Sequence, residues 1–480
     1  MKNFELGLTY DDVLLVPQRS KVAHRGDVST DTLLTKNITL SIPLVSANMD
    51  TVTEANMAIA LAQEGGIGII HRFMTAQEEV DQVKKVKRHV GFIRHKPFTI
   101  LLDANLSDAI RLSVENGISS FVVVDKKDKV AGILTRRDLL FETDLKKPIN
   151  LLMTPFSRLI YADEDIKTDQ AQKILKKHKI EKLPLLDKNK HLIGLITAKS
   201  LEGFASHPRA TKDKHGRLKV GAAIGVVGDY IERTKMLLDV GVDTIVIDVA
   251  HGQNEVALDG IKKLRKKYKD IDLIGGNVAT GQGVIDMIKL GVDAVKVGIG
   301  PGGLCTTRVV AGVGIPQLSA VLEACQVAKK YRVPIIADGG TNFPGDITKA
   351  LAAGAHSCML AGWFAGADES PGGIIMRKGM KFKVHRGAAS FLSVADRKLE
   401  SGEILDETKL NTVVPEGVEA LVPYKGKVSD VIYQLLGALR SGMSYCNAKT
   451  IDELHQNARF VRITEAGFRE SKSHNVEELT

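Results

Sequence analysis

Eight short apolar runs constrain the fold of this chain more than any other feature of its sequence. Each run ends in polar residues or glycine, and most are followed by an amphipathic stretch, such as Gly281–Leu290 or Leu318–Lys330, with apolar positions at helical spacing. The runs are Ile42–Ser46, Gly66–Ile70, Val220–Ile224, Thr244–Asp248, Leu273–Asn277, Ala294–Gly298, Pro334–Asp338 and Ser357–Ala361. Strands that are apolar throughout are buried on both faces, and eight of them alternating with helices predict a parallel (β/α)8 TIM barrel.

The regular spacing of the runs is broken once, between the second and the third, by an insertion that contains an internal repeat. Its repeated residues are Ile118, Asp125, Gly132, Thr135 and Leu139, which recur 62 positions later as Ile180, Asp187, Gly194, Thr197 and Leu201. A repeat that keeps aspartate, glycine and threonine in register indicates a duplicated supersecondary unit. The sequence therefore predicts a small domain at 91–206, inserted into a barrel formed by 1–90 and 207–480.

Composition excludes several classes of function. No apolar run of the length that a membrane span needs occurs, and the first residues lack the apolar stretch of a secretory signal. The net charge of +9 arises partly from lysine runs at 176–179 and 262–267, but no aromatic residues are interleaved to stack bases. We interpret these runs as solvated helix faces and expect no specific nucleic acid partner. The four cysteines lack metal-ligand spacing, and together these features predict a cytoplasmic protein.

The loop that follows the sixth apolar run contains the most informative residue, Cys305. Reactive groups of a barrel belong at the C-terminal ends of its strands. Four of the eight residues before Cys305 are glycines, which let the backbone approach a ligand closely. A thiol in such a loop can act as an activated nucleophile. We predict a catalytic thiol at Cys305, whereas Cys325, Cys358 and Cys446 lie in apolar surroundings and are predicted to be packing residues.

Several motifs closely resemble one enzyme family. They are LTYDDVLLVPQRS, DTVTEANMAIALAQEGGIG, NVATG, GIGPGGLCTTRVVAGVGIPQ, ADGG, VPYKG and LRSGMSYC. Together they resemble the inosine monophosphate dehydrogenase and guanosine monophosphate reductase family over nearly the whole chain. The insertion resembles a tandem pair of cystathionine-β-synthase-type (CBS) domains, which commonly bind adenine or guanine nucleotides. The resemblance also implies a homotetramer, which in this family can pair into an octamer.

The resemblance implies two alternative reactions through one covalent intermediate. In the dehydrogenase, the thiolate of Cys305 would add to C2 of inosine monophosphate, a hydride would pass to NAD, and water would release xanthosine monophosphate. In the reductase, guanosine monophosphate would lose ammonia and receive a hydride from NADPH. The insertion and the motif PEGVEALVPYKG favour the dehydrogenase. A third alternative is a nucleotide sensor whose barrel has lost catalysis.

The resemblance also assigns residues to the substrate, the cofactor and a cation. Substrate would contact Asp338 through its ribose, and its phosphate would bind the amides of Gly340, Ala361 and Gly362. The nicotinamide half would be formed by Asp248, Asn277, Gly298 and Gly300. A potassium ion would bind carbonyl groups of Gly300, Gly302 and Cys305, with Glu470 and Ser471 supplied by a neighbouring subunit.

Proton transfer is implied for Thr307 and Glu416, the latter within a polar segment, 387–426, that we predict to be a mobile flap. The family's Arg-Tyr pair on this flap is reduced here to Arg397, the candidate water-activating base. Gly303 and Gly362 replace family serines. The substrate-binding stretch Tyr-Arg-Gly-Met-Gly-Ser is replaced by a sequence containing His385, Gly387, Ala388 and Ala389. These departures favour the reductase, so the direction of the reaction stays open.

Overall fold

The computed structural model describes residues 4–89, 93–95, 97–163, 165–391, 393, 414–473 and 476. The chain divides into two compact units. The first comprises residues 1–89, 209–213 and 218–480, and the second comprises residues 90–208 and 214–217. None of the described helices is both long and apolar enough to cross a membrane.

Eight parallel strands form a closed barrel in the first unit, which confirms the predicted fold. The strands are β1 (Leu44–Ser46), β2 (Ile67–Ile70), β3 (Gly221–Ile224), β4 (Thr244–Ile247), β5 (Leu273–Val278), β6 (Ala294–Val297), β7 (Ile335–Asp338) and β8 (Ser357–Leu360). They are hydrogen-bonded in sequence order, and β8 pairs with β1 to close the barrel. Each strand coincides with one of the eight apolar runs.

Apolar side chains fill both faces of the barrel sheet, as the continuous runs require. Val45, Val246 and Ile336 belong to an inner cluster, while Leu44, Ile245 and Ile335 pack outward against the helices. Alternating side chains of a strand point to opposite faces, so neighbouring residues enter different clusters. A short hairpin at residues 32–40 adds apolar residues to the inner cluster at the N-terminal end of the strands.

Helices surround the barrel and include both of the amphipathic stretches predicted above. They are Ala55–Gln63, Ala76–His89, Tyr230–Asp239, Glu255–Lys267, Gly281–Lys289, Thr307–Val310, Gln317–Ala328, Pro344–Ala352, Val428–Tyr445, Ile451–Asn457 and Glu465–Glu470. A three-stranded antiparallel sheet of Ile374–Arg377, Met380–Arg386 and Glu419–Pro423 lies beyond β8. The last strand falls inside the segment predicted as a flap, so that end of the segment has regular structure.

The second unit contains two similar arrangements of strands and helices. The first has Thr99–Leu101, Leu106–Asn116, Phe121–Val124, Val130–Leu134 and Arg136–Leu139, and the second has Ala162–Asp163, Thr168–His178, Lys182–Leu186, Leu192–Thr197 and Ala198–Ala205. The repeated aspartates have the same role. Asp125 accepts hydrogen bonds from two backbone amides in its turn, at 2.8 and 2.9 Å, and Asp187 accepts two at 2.8 Å. The sequence repeat is thus a structural repeat.

Candidate active site

The loop that carries Cys305 leaves the C-terminal end of β6 and is held close to β7. A Cβ atom at Gly298 would lie 2.1 Å from the carbonyl oxygen of Asp338, so only glycine allows this approach. The side-chain amide of Gln317 donates to the carbonyls of Val297 and Asp338, at 2.9 and 3.1 Å. The ends of β6 and β7 therefore form one support for the reactive loop.

A line of hydrogen bonds connects the Cys305 thiol to a carboxylate. The Sγ–H of Cys305 donates to Oγ1 of Thr307 at 3.2 Å, and the hydroxyl of Thr307 donates to Oε2 of Glu416 at 2.7 Å. A backbone hydrogen bond also holds Glu416 next to the Cys305 loop, because the amide of Thr306 donates to the carbonyl of Glu416 at 2.9 Å. The amide of Glu416 in turn donates to the carbonyl of Ala389 at 3.1 Å. This arrangement brings Glu416 to Cys305 and Thr307, although Glu416 lies 109 positions after Thr307, and it gives the thiol proton a path to Glu416.

The other cysteines lack such surroundings. Cys358 and Cys446 are buried and Cys325 is partly buried. Burial raises the pKa of Cys325 and Cys446, and burial together with the nearby charge of Asp346 raises the pKa of Cys358 to about 12. A thiol with a raised pKa is a poor nucleophile near neutral pH, which agrees with packing roles for all three.

Asp338, at the end of β7, is held by two neighbouring side chains. Lys296 donates from Nζ to Oδ2 of Asp338 at 2.6 Å, and Asn277 donates from Nδ2 to the same oxygen at 2.9 Å. Lys296 also donates to Oδ1 of Asn277, while Asn277 donates to the carbonyl of Gly298 at 2.7 Å. Within the described residues no hydrogen bond reaches Oδ1 of Asp338, which remains able to accept one from a ligand.

Lys296 is a site residue that the sequence analysis did not select. Its side chain is only 4% exposed and lies in a barrel strand. The available signal was a lysine in the otherwise apolar run Ala294–Gly298, because a buried charge is costly unless it is paired. Here its partner is Asp338, the residue whose carboxylate is predicted to bind the ribose of the substrate.

Arg72 is a second residue that the sequence analysis missed. Its Nε donates to Oδ2 of Asp248 at 2.8 Å, at the ends of β2 and β4. Burial tends to raise the pKa of Asp248, but the positive charges of Arg72 and Lys296 outweigh it, so this pKa lies below its ordinary value. A small cleft of about 120 Å³, lined in part by Arg72 and Val249, lies beside this ion pair. Asp248 is therefore ionised, and its partner Arg72 lines the cleft.

The loops predicted to bind phosphate follow β7 and β8. Gly340 has φ +82°, and a Cβ there would meet Gln317 at 3.1 Å, so this position requires glycine. At Gly303 and Gly362, by contrast, a Cβ would meet nothing within 4 Å. No other side chain therefore fills the space of the two serines that the resemblance predicts at these positions.

Trp363, the only tryptophan of the chain, follows Gly362 in the second of these loops. Its indole N–H donates to the carbonyl of Thr341 at 3.2 Å, which ties the loop after β8 to the loop after β7. The ammonium of Lys425 lies 4.9 Å from the centroid of the ring and donates to the carbonyl of Gly362 at 3.2 Å. A positive charge is therefore held beside the predicted phosphate site.

His385 is buried next to this region. Its Nδ1 and the hydroxyl of Thr51 are hydrogen-bonded at 3.0 Å. Burial, together with the nearby charge of Lys425, lowers the pKa of His385 to about 4, so the ring is neutral at pH 7. The neighbouring Arg386 forms an ion pair with Asp50. His385 and Arg386, which stand where the family has Tyr-Arg, are therefore bonded to the loop after β1.

Comparison with known proteins decides the family. The model of the IMP dehydrogenase / GMP reductase domain matches residues 7–474. The chain belongs to this family. It is 48% identical to inosine-5'-monophosphate dehydrogenase of Nitrosopumilus maritimus over 98% of this chain and 99% of that protein, and 48% identical to the Bacillus subtilis enzyme of the same name over 98% and 96%. A crystal structure of GMP reductase from Trypanosoma brucei in complex with guanosine 5'-monophosphate covers 99% of both chains with TM-score 0.89 and 40% identity.

The described contacts bring the predicted cation ligands of this family member together only in part. The amide of Cys305 donates to the carbonyl of Gly302 at 2.9 Å, which leaves that oxygen a second lone pair for a cation. Glu470 ends the last helix, and Ser471 donates to the carbonyl of Gly467 at 2.9 Å. Neither bonds to the Cys305 loop within this chain, and their contribution from a neighbouring subunit stays a prediction. Arg397 lies outside the described residues.

Proposed function

We propose that this chain oxidises inosine monophosphate to xanthosine monophosphate, with NAD as the hydride acceptor and a covalent adduct at Cys305, as a step of guanine nucleotide biosynthesis. The observation that carries this proposal is the hydrogen-bonded line from Cys305 through Thr307 to Glu416. The inosine-5'-monophosphate dehydrogenases that match the chain over nearly its full length support it.

Formation of the adduct requires the thiol to lose its proton. In the proposed reaction, Sγ of Cys305 bonds to C2 of the purine, and the proton passes through the hydroxyl of Thr307 to the carboxylate of Glu416. The C2–H bond then breaks with its electron pair, and NAD, when bound, supplies the acceptor for that hydride. The carbon–sulfur bond that remains is a thioimidate, which water must cleave.

Hydrolysis uses the same groups again, after Glu416 has released the thiol proton to solvent. A water molecule attacks C2, the C2–S bond breaks, Sγ of Cys305 regains a proton from that water, and xanthosine monophosphate leaves. The described groups placed to accept the proton of that water are Thr307 and Glu416, which are already 2.7 Å apart. Arg397 is the further candidate base that the family pattern suggests.

Substrate and cofactor would occupy opposite sides of the Lys296 ammonium. Asp338, with its Oδ2 held by Lys296 and Asn277, would use Oδ1 to accept a ribose hydroxyl. Backbone amides of Gly340, Ala361 and Gly362 would bind the phosphate, since glycine-rich turns expose such donors. The nicotinamide half fits the ionised Asp248 and the cleft beside it, and Gly300, Gly302 and Cys305 would supply carbonyl oxygens to potassium.

GMP reductase activity is the second candidate, for two specific reasons. The dehydrogenase must activate water with an Arg-Tyr pair on the flap. In this chain the arginine is Arg397, and the tyrosine beside it is missing. The solved structure of a GMP reductase is also similar over 99% of the chain. The reductase needs the same Cys305, Thr307 and Glu416, because both reactions pass through the same carbon–sulfur bond.

A paired assay separates the candidates. The purified full-length protein is incubated with inosine monophosphate and NAD, and separately with guanosine monophosphate and NADPH, while absorbance follows the reduced cofactor. We expect a rise with the first pair and no fall with the second. A fall with the second pair alone would assign the reductase. Absence of turnover with either pair, with nucleotide binding retained by residues 91–206, would assign a sensor.

Regulation and assembly belong to the same proposal. We expect the second unit to be a tandem CBS pair that binds an adenine or guanine nucleotide, and the chain to form a homotetramer or octamer in the cytoplasm. The duplicated structure of the unit supports the first expectation. Nucleotide titration by calorimetry and analytical ultracentrifugation would test the two expectations directly.

A further inference from the structure

A large cleft in the barrel unit lies far from Cys305 in the fold. It has a volume of about 700 Å³, and its charged or aromatic lining residues are Arg25, Arg209, Arg440, Glu64, Asp430 and Tyr433. Glu64 follows the helix that leads into the N-terminal end of β2. The carbonyl of Arg209 accepts a hydrogen bond at 2.9 Å from Ser41, which precedes β1. The cleft is therefore at the N-terminal end of the barrel, opposite the candidate active site.

Positive charge in this cleft lacks a partner. Across the part of the chain that the structure describes, none of Arg25, Arg209 and Arg440 forms an ion pair, whereas Arg233 and Arg265 of the same unit each do. The carboxylates of Glu64 and Asp430 line the same cleft without pairing to these guanidinium groups. Three unpaired guanidinium groups around one cavity form a site that attracts a multiply charged anion.

Arg440 is the strongest indication that something is bound here. Its Nε is buried without a hydrogen-bond partner among the described residues. Burial, together with the adjacent charge of Arg209, lowers the pKa of Arg440. A buried donor without a partner and two like charges held close together both cost free energy, and one anion between the arginines would relieve both.

We propose that this cleft binds a small polyphosphate, with its phosphoryl oxygens held by Arg25, Arg209 and Arg440. Arginine suits this role because its planar fork donates two parallel hydrogen bonds to phosphate. Tyr433 is 81% exposed and lines the same cleft as the buried side chains of Ile432 and Leu436. Its ring is placed to cover a base attached to the polyphosphate, since aromatic side chains stack on any base.

Inorganic pyrophosphate is the probe for the test. Full-length protein saturated with inosine monophosphate, so that the active-site phosphate loops are filled, is titrated with pyrophosphate in a calorimeter. We expect one further binding event that weakens at least about tenfold in Arg209→Glu and in Arg440→Gln. Arg209 is exposed, so its variant keeps the test valid if Arg440→Gln does not fold. Arg377→Gln, which removes an exposed arginine elsewhere, should bind as the unaltered protein does.

The role of Tyr433 is tested by displacement of bound pyrophosphate with adenosine triphosphate. Displacement that weakens in Tyr433→Ala, while pyrophosphate itself still binds, would assign the site to nucleotides. Equal displacement in both proteins would assign it to the polyphosphate group alone, which still supports the proposal. The proposal is overturned by absence of pyrophosphate binding, or by unchanged binding in both arginine variants. It is also overturned if Arg209→Glu alters the sedimentation coefficient without any anion effect, because the cleft would then be a subunit contact.

Discussion

Two halves of the C-terminal end of the barrel differ in how they are built. The reactive half, formed by Cys305, Thr307 and Glu416, connects each functional atom to the next within hydrogen-bond distance. The predicted phosphate half, which includes Gly362 and His385 after β8, has open space at the glycine and a neutral, buried ring at the histidine. Proton transfer depends on a few atoms in fixed positions. In the proposed function phosphate binding would be shared among several backbone amides, so we expect it to tolerate the loss of individual hydroxyls.

The largest expected effect follows from removing the nucleophile in the reactive half. Cys305→Ala should lower kcat on the order of 10³-fold or more, because no other described thiol is placed to form the adduct. Steady-state assays in both reaction directions would measure the loss. Cys446→Ala truncates a buried cysteine away from the loop and should retain activity. Mass spectrometry of quenched enzyme should find nucleotide on Cys305, and turnover by the alanine variant above about one per cent would contradict the covalent route.

A smaller loss of activity is expected when Glu416, the proposed acceptor of the thiol proton, is replaced. Glu416→Gln keeps the shape of the side chain but removes its basic carboxylate, so kcat should fall about 10²-fold. Glu419→Gln, three residues further on and exposed, serves as the control. The KM for the nucleotide should change little in both variants. Equal activity of the two variants would remove Glu416 from the proton path.

Lys296 holds the carboxylate of Asp338 at the end of β7, and its loss should affect binding more than chemistry. Lys296→Met leaves the Asp338 carboxylate without its counter-ion, so we expect KM to rise about tenfold and stability to fall by about 3 kcal/mol. Kinetics and urea denaturation would measure the two effects. Lys289→Met, on an exposed helix surface, is the matched control. A change in kcat alone would contradict a positioning role.

Restoring a lost hydroxyl should strengthen the phosphate half by a modest amount. Gly362→Ser places a side chain where a Cβ meets nothing within 4 Å. One added hydrogen bond to phosphate should lower KM about threefold to tenfold with kcat unchanged. Gly373→Ser, also in open space, should leave KM unaltered. An increase in KM would show that the open space is used by the substrate itself.

The last expected effect is a pH dependence of stability that arises from His385 in the phosphate half. The pKa of His385 is lowered from 6.5 to about 4, so between these values the unfolded chain binds a proton that the folded chain does not. The free energy of unfolding should therefore decrease as the pH falls from 7 to 5, and His385→Gln should reduce this decrease by about 2 kcal/mol. Urea denaturation at both pH values would measure the difference. His24→Gln, near the surface, should leave the slope unchanged.

The strands and the reactive loop could be predicted from sequence because local patterns determine them. Apolar runs of five residues predicted all eight barrel strands, and glycine spacing indicated Cys305. The partners of Asp338 and Asp248 could not be derived in this way, since Lys296 and Arg72 reach them across different strands. The strand Glu419–Pro423 was also missed. It lies in a segment of polar character, and its structure depends on pairing with Met380–Arg386.

Trp363 gives this chain an internal optical reporter. It is the sole indole, and it bridges the loops after β7 and β8 at the place assigned to the nucleotide phosphate. Tryptophan fluorescence, excited selectively, therefore originates at a single position next to the predicted phosphate site. Rapid-mixing fluorescence can consequently time the arrival and departure of nucleotide separately from hydride transfer, without a label or an added mutation.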